Sequence, residues 1–207
     1  MTGLTLYYIL DPMCSWCYGF SPVLEAVIPH LPAAAALRYV MGGLAPDSAQ
    51  PMPPQMQQYV QQHWREVAAR TGAEFNFDFW SVCTPVRSTY PSCRAVLAAG
   101  LQGQQHIGPM IKAIQRAYYR QARNPSLEAT LVELAAEIGL DAARFADELN
   151  SPEVARRLQE DFQFRSRLGV QGFPTLVAEK GDKFYGLTIG WAPAEVVLQR
   201  LNKVQSL

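Results

Sequence analysis

The sequence predicts an α/β fold in which a β-α-β unit is separated from a closing β-β-α unit by a long helical insert. Three observations predict it. An uncharged, β-rich run at Leu4–Leu10 stops at Asp11-Pro12; helical periodicity fills most of residues 45–168; and two strand-like runs from Thr175 lead into an amphipathic helix. With 207 residues, 49% hydrophobic and 17% charged, the chain carries enough apolar surface for a sizeable core and is not a disordered one.

The elements follow in order. Leu4–Leu10 reads as a buried central strand of a mixed or parallel sheet. From Cys14 to Leu31 the apolar residues Trp16, Phe20, Val23, Leu24, Val27, Ile28 and Leu31 keep helical spacing, so Pro22 should kink that helix and Pro32 end it. Leu37–Met41 predicts a second strand, closed by Gly42-Gly43. Pro51-Met52-Pro53-Pro54 launches a helix to about Thr71, where Gly72 stops it. Further helical patterns run near 92–102, 105–121, 126–137, 142–148 and 152–168, with Ser126 and Ser151 as N-caps. Thr175–Ala178 and Lys183–Ile189 predict a hairpin about Gly181, and Ala192–Val204 a last helix.

Eighteen basic residues balance eighteen acidic ones, so no net field recommends nucleic acid or an anionic membrane as partner. No apolar run approaches the roughly 18 residues of a membrane span, and the first residues lack the features of a signal peptide. The expectation is a cytoplasmic protein. Four cysteines are too few to staple a chain of this length, and in a reducing compartment a close pair is catalytic or metal-binding.

That pair is Cys14-Ser15-Trp16-Cys17, between a strand and a helix. Two intervening residues let the second sulfur reach the first within one helical turn. The free amides of a helix N-terminus favour a negative charge there, and only a thiolate attacks a disulfide. Cys14 should therefore be exposed and acidic, and Cys17 more buried with a higher pKa. A zinc site would need a second knuckle, but Cys83 and Cys93 are too widely spaced and the three histidines show no ligand pairing, so no metal is expected.

Strand–CxxC–helix, together with Gly172-Phe173-Pro174-Thr175 before the final hairpin, resembles the thioredoxin fold. The helical stretch between them resembles the insert of the DsbA family. Asp11–Gly19 and Ser88–Ala95 are most similar to its FrnE-like branch. The resemblance implies a discontinuous thioredoxin-like domain at 1–44 and 169–207, with a helical domain at 45–168. It also implies a thiol–disulfide oxidoreductase in which Cys14 attacks and Cys17 resolves. Pro174 would follow a cis peptide bond and face both sulfurs, leaving the backbone of Phe173 free to pair with an extended substrate.

Two departures from the family stand out. The buried carboxylate that many members carry six residues before the attacking cysteine is here Tyr8, a poor base. Asp11, the nearest acid, is read first as the end cap of the strand, a role in moving the proton of Cys17 staying open. The intervening Ser15-Trp16 replaces the Pro-His of strongly oxidising members, which predicts a lower potential and a reductase or isomerase bias.

Met13, Trp16 and Phe173 are the candidate substrate-binding residues, Met13 and Trp16 exposed at the thiol; Phe20 is read as core. The expected partners are protein or peptide disulfides and dithiols, with glutathione as a co-substrate or a thioredoxin-type reductant for recycling. The cysteine pair itself serves as the redox group. Cys83 and Cys93 read as unpaired thiols, a second redox pair staying open, and Arg87 and Arg94 as anion-binding candidates. Two other functions remain at this point: a glutathione-dependent isomerase or kappa-type glutathione transferase, and a non-enzymatic peptide-binding module.

Overall fold

A computed structural model describes residues 3–207; Met1 and Thr2 of the 1–44 segment lie outside the described residues. Among the described residues four strands, β1 (Leu4–Leu10), β2 (Ala36–Met41), β3 (Thr175–Lys180) and β4 (Lys183–Ile189), form one mixed sheet in the order β2-β1-β3-β4. β1 runs parallel to β2, with Leu6 opposite Leu37, and antiparallel to β3, with Leu6 opposite Ala178. The charge-free β1 is thus central, as its composition requires. β3 and β4 pair as the hairpin expected, but their register shifts between Leu176 and Val177. Leu187 is the extra residue on β4, and its carbonyl accepts from Arg200 at 2.7 Å.

Between the two sheet-forming segments lie α2 to α8, following α1 (Ser15–Val27); α9 (Ala194–Gln205) closes the chain. α1 continues through Pro22, but it stops at Val27, short of the expected Leu31. A 3-10 turn at Ile28–His30 takes over, since Pro29 has no amide to continue the ladder. α2 (Pro54–Thr71) starts and stops as its Pro-Pro entry and Gly72 predict, with Gly72 at φ 75°. The insert also holds α3 (Phe79–Val82), which the sequence did not announce, and α4 (Tyr90–Leu101), α5 (Ile107–Arg120), α6 (Glu128–Glu137), α7 (Ala142–Leu149) and α8 (Pro152–Arg167).

Ser151 caps α8, accepting from the Val154 amide at 3.2 Å. Ser126 does not cap α6. That helix starts after Leu127, and the Ser126 hydroxyl donates instead to the Ser88 carbonyl at 2.7 Å, tying the loop before α4 to the start of α6. One core cluster runs from Leu6 and Leu10 of β1 through Cys17 and Phe20 of α1 to Ile114 and Leu131 of the insert. An aromatic group around Trp64 joins α2, α3 and α5: Phe79 and Trp80 tilt against its rings, and Tyr118 and Tyr119 meet it edge-on. α8 lies on β2.

Candidate active site

The turn between β1 and α1 delivers the first cysteine. The Asp11 side chain accepts from the Met13 amide at 2.8 Å and its carbonyl accepts from the Cys14 amide at 3.0 Å, a tight Asx-type reversal that an Asp-Pro sequence favours. Cys14 is thereby the N-cap of α1, with extended backbone (φ −85°, ψ 118°), and its carbonyl accepts the first helical hydrogen bond from Tyr18. Cys17 follows one turn in and is fully buried; all four cysteines are free thiols.

The two sulfurs differ electrostatically. The Cys17 thiol donates to the Cys14 sulfur and draws the Cys14 pKa below the ordinary 9.0; burial opposes this, the amides of Cys17 and Trp16 assist it, and the Asp11 charge opposes it. Burial pushes Cys17 well above 9.0, and its bond to Cys14 adds to the rise. The order of acidity is the one a helix N-terminus predicts. The expected exposure is not found, because Cys14 is only 7% exposed and sits at the floor of a cleft.

The opposite wall is the loop before β3. The Phe173–Pro174 bond is cis, and the Phe173 carbonyl stands 3.8 Å from the Cys14 sulfur. Contacts of its neighbours and of the Phe173 ring hold the loop that carries this carbonyl. The Thr175 hydroxyl donates to the Gly172 carbonyl at 2.9 Å, the Gly190 amide donates to the Pro174 carbonyl at 2.7 Å, and the Arg165 guanidinium lies 5.6 Å over the Phe173 ring while donating to the Gly42 carbonyl.

The cleft, about 230 Å³, brings together Met13, Cys14, Trp16 and Phe173. Pro174, buried beside them, contributes the bend of the wall. Trp16 and Phe173 are partly exposed, and Phe20 is core as expected. Met13 is not at an exposed rim: it is 6% exposed, and the Ser126 hydroxyl meets its sulfur at 3.9 Å.

Sequence reasoning missed the wall from α2, formed by Tyr59, Val60, His63 and Trp64. The available signal was the spacing of Val60, Trp64 and Val67, an apolar stripe on a glutamine-rich helix. Arg87 does line the cleft, whereas Arg94 is committed to a bidentate pair with Asp47 at 2.9 Å. Cys83 donates to the Ala122 carbonyl at 3.0 Å, and Cys93 is buried in α4 with its sulfur 3.7 Å from the Asp11 carboxylate. Tyr8 is buried with its hydroxyl 3.4 Å from the Cys17 carbonyl, and burial drives its pKa well above 10.0.

A family model described as the DsbA-like thioredoxin domain matches residues 5–202. A solved candidate protein disulfide isomerase of Nitrosomonas europaea is 33% identical with a TM-score of 0.88, covering 99% of this chain and 98% of its own. The cytosolic disulfide reductase DsbM of Pseudomonas aeruginosa is 29% identical with a TM-score of 0.81, covering 98% of this chain and 100% of its own, and has also been solved with GSH. Among curated proteins, the ClpXP adapter protein SpxH of Halalkalibacterium halodurans is 25% identical over 178 residues, 84% of this chain and 58% of that protein. The chain thus spans little more than half the length of this relative.

Proposed function

The chain belongs to the DsbA-like thioredoxin domain family of thiol–disulfide oxidoreductases, and on that premise we propose that it is a dithiol enzyme working mainly as a reductase of protein or peptide disulfides. The observation that carries the reading is the asymmetry of the pair: an acidified Cys14 on the floor of an open cleft, backed by a wholly buried Cys17 of raised pKa. One sulfur is built to meet the substrate and the other only to meet its neighbour.

The steps follow. Cys14 thiolate attacks one sulfur of the substrate disulfide, whose S–S bond breaks, and the departing thiolate takes up a proton. Cys17 then loses its proton and attacks the Cys14 sulfur, releasing the second substrate sulfur as a thiol. The substrate gains two electrons and two protons, and the enzyme is left with a Cys14–Cys17 disulfide. Two equivalents of a thiol such as glutathione restore the dithiol and leave as their own disulfide. The Phe173 backbone aligns an extended substrate segment against Cys14, and Trp16 supplies apolar contact.

The likeness to DsbM supports the reductase direction, a cytoplasmic setting and glutathione as recycling thiol. Arg87, partly exposed on the cleft wall, suits a carboxylate of that tripeptide. A second reading, a binding module whose thiols are idle, takes support from the likeness to an adapter protein. The equilibrium potential of Cys14/Cys17 in glutathione buffers separates the two. A couple near ~−200 mV or lower, absent in Cys14→Ser, supports the enzyme. No reversible couple, with peptide binding kept in Cys14→Ser, supports the module.

A further inference from the structure

The exchange steps make no use of Asp11, although its carboxylate is completely buried just beyond the end of β1. One oxygen accepts from the Met13 amide at 2.8 Å. The other accepts from the Leu44 amide at 2.6 Å and the Thr89 hydroxyl at 2.6 Å, and the Cys93 thiol points at it from 3.7 Å. The Thr89 oxygen also accepts from the Leu44 and Ala45 amides at 3.1 and 3.0 Å, and of the two acceptors within reach of its proton Asp11, at 2.6 Å, is nearer than the Ala45 carbonyl at 3.3 Å. Burial raises the Asp11 pKa, and the bonds from Thr89, Leu44 and Met13, with the Arg87 charge, act against that rise and favour the ionised carboxylate. A buried anion is costly unless its lone pairs are met, and a neutral side chain would join the same segments at less desolvation cost.

The segments it joins matter. Asp11 ties the Cys14 loop to the chain after β2 and to the entry of α4, and Cys14 and Leu44 both line the cleft. We propose that Asp11 is a positioning residue of the exchange reaction: its carboxylate fixes the Cys14 loop against the Leu44 wall and holds a negative charge three residues from the attacking thiol. The proposal rests on the attacking role of Cys14.

The charge acts upward on both Cys14 and Cys17. The other titratable or charged groups around Cys14 are Cys17 of α1, Tyr8 of β1, Tyr119 of α5, and His63 and Arg87 on the cleft walls. None of them bonds to the Cys14 loop backbone as Asp11 does.

The test is the pH profile of Cys14 alkylation by iodoacetamide, read at that residue by peptide mass spectrometry, in the wild type and Asp11→Asn. The expected result is a midpoint at lower pH in Asp11→Asn, together with disulfide exchange slowed about 10-fold at equal thiolate fraction, because the loop is less fixed. A folded Asp11→Asn with an unmoved midpoint overturns the proposal. Should that variant not fold, Thr89→Val decides, since it keeps the charge and drops the hydroxyl that donates to Asp11 and accepts from the Leu44 and Ala45 amides. Slower exchange restored by Thr89→Ser supports the role, and a folded Thr89→Val with wild-type exchange overturns it. Alkylation reports the thiol whether or not disulfides are turned over, so this failure is distinct from the lack of a redox couple.

Discussion

The Phe173 ring fills the space that a β-carbon on Gly42 would occupy, and Arg165 lies over the same ring. The carbonyl facing Cys14 is therefore held by the end of β2 as well as by its own loop. Gly42→Ala must displace the ring; overpacking of this kind costs about 1–3 kcal/mol. Urea unfolding should show that loss, and exchange should slow with it. A variant as stable and as fast as the wild type would mean that the wall moves freely.

Cys17 is buried behind Cys14, so it meets a substrate only after Cys14 has done so. Cys17→Ser should accumulate a mixed disulfide at Cys14, visible as a mass increase under non-reducing conditions, while Cys14→Ser forms none. Turnover should fall by roughly 100-fold or more in either variant, since the two thiols act as a unit. Normal turnover in Cys17→Ser would point to an external resolving thiol.

The lowered pKa of Cys14 fixes the sign of the pH dependence. The thiolate is the nucleophile, so exchange rises with pH as Cys14 ionises and levels off below the ordinary thiol value of 9.0. Stopped-flow rates against a small disulfide should show that plateau. A midpoint at or above 9.0 would contradict the hydrogen bond from Cys17 as its cause.

Asp161 on α8 accepts from the Met41 amide at 2.8 Å, and burial raises its pKa from 3.8 to about 7. A folded-state pKa above the unfolded one means stability that is full below about pH 4 and is lost as pH rises through about 7. Asp161→Asn keeps an acceptor for the amide and removes the titration. Urea midpoints from pH 4 to 8 should therefore fall in the wild type relative to the variant. Parallel curves would show that Asp161 is ionised throughout.

Much of the fold was legible because its signals are local. The charge-free β1, the Pro-Pro entry and Gly72 exit of α2, and the Ser151-Pro152 start of α8 each state their element within a few residues. Ser126 was misleading for the same reason: a serine before an apolar run looks like a cap, and only the approach of the loop before α4 diverts its hydroxyl. Of the site, Cys14, Trp16, Cys17, Phe173 and Pro174 could be read from two short motifs far apart in the chain. The α2 wall, the burial of Met13 and the four donors around Asp11 depend on which segments meet across the insert. Periodicity along one helix does not contain that information.

The register shift of β4 bears on the company this protein keeps. β4 is the free border of the sheet, the place where an extended segment of another chain would add itself as a strand. There the doubled residue breaks the row of unpaired amides and carbonyls, Gly186 offers no side chain to build on, and Arg200 already occupies the Leu187 carbonyl. An extended segment thus finds no ready template on this border, and the sheet is guarded against strand-to-strand aggregation.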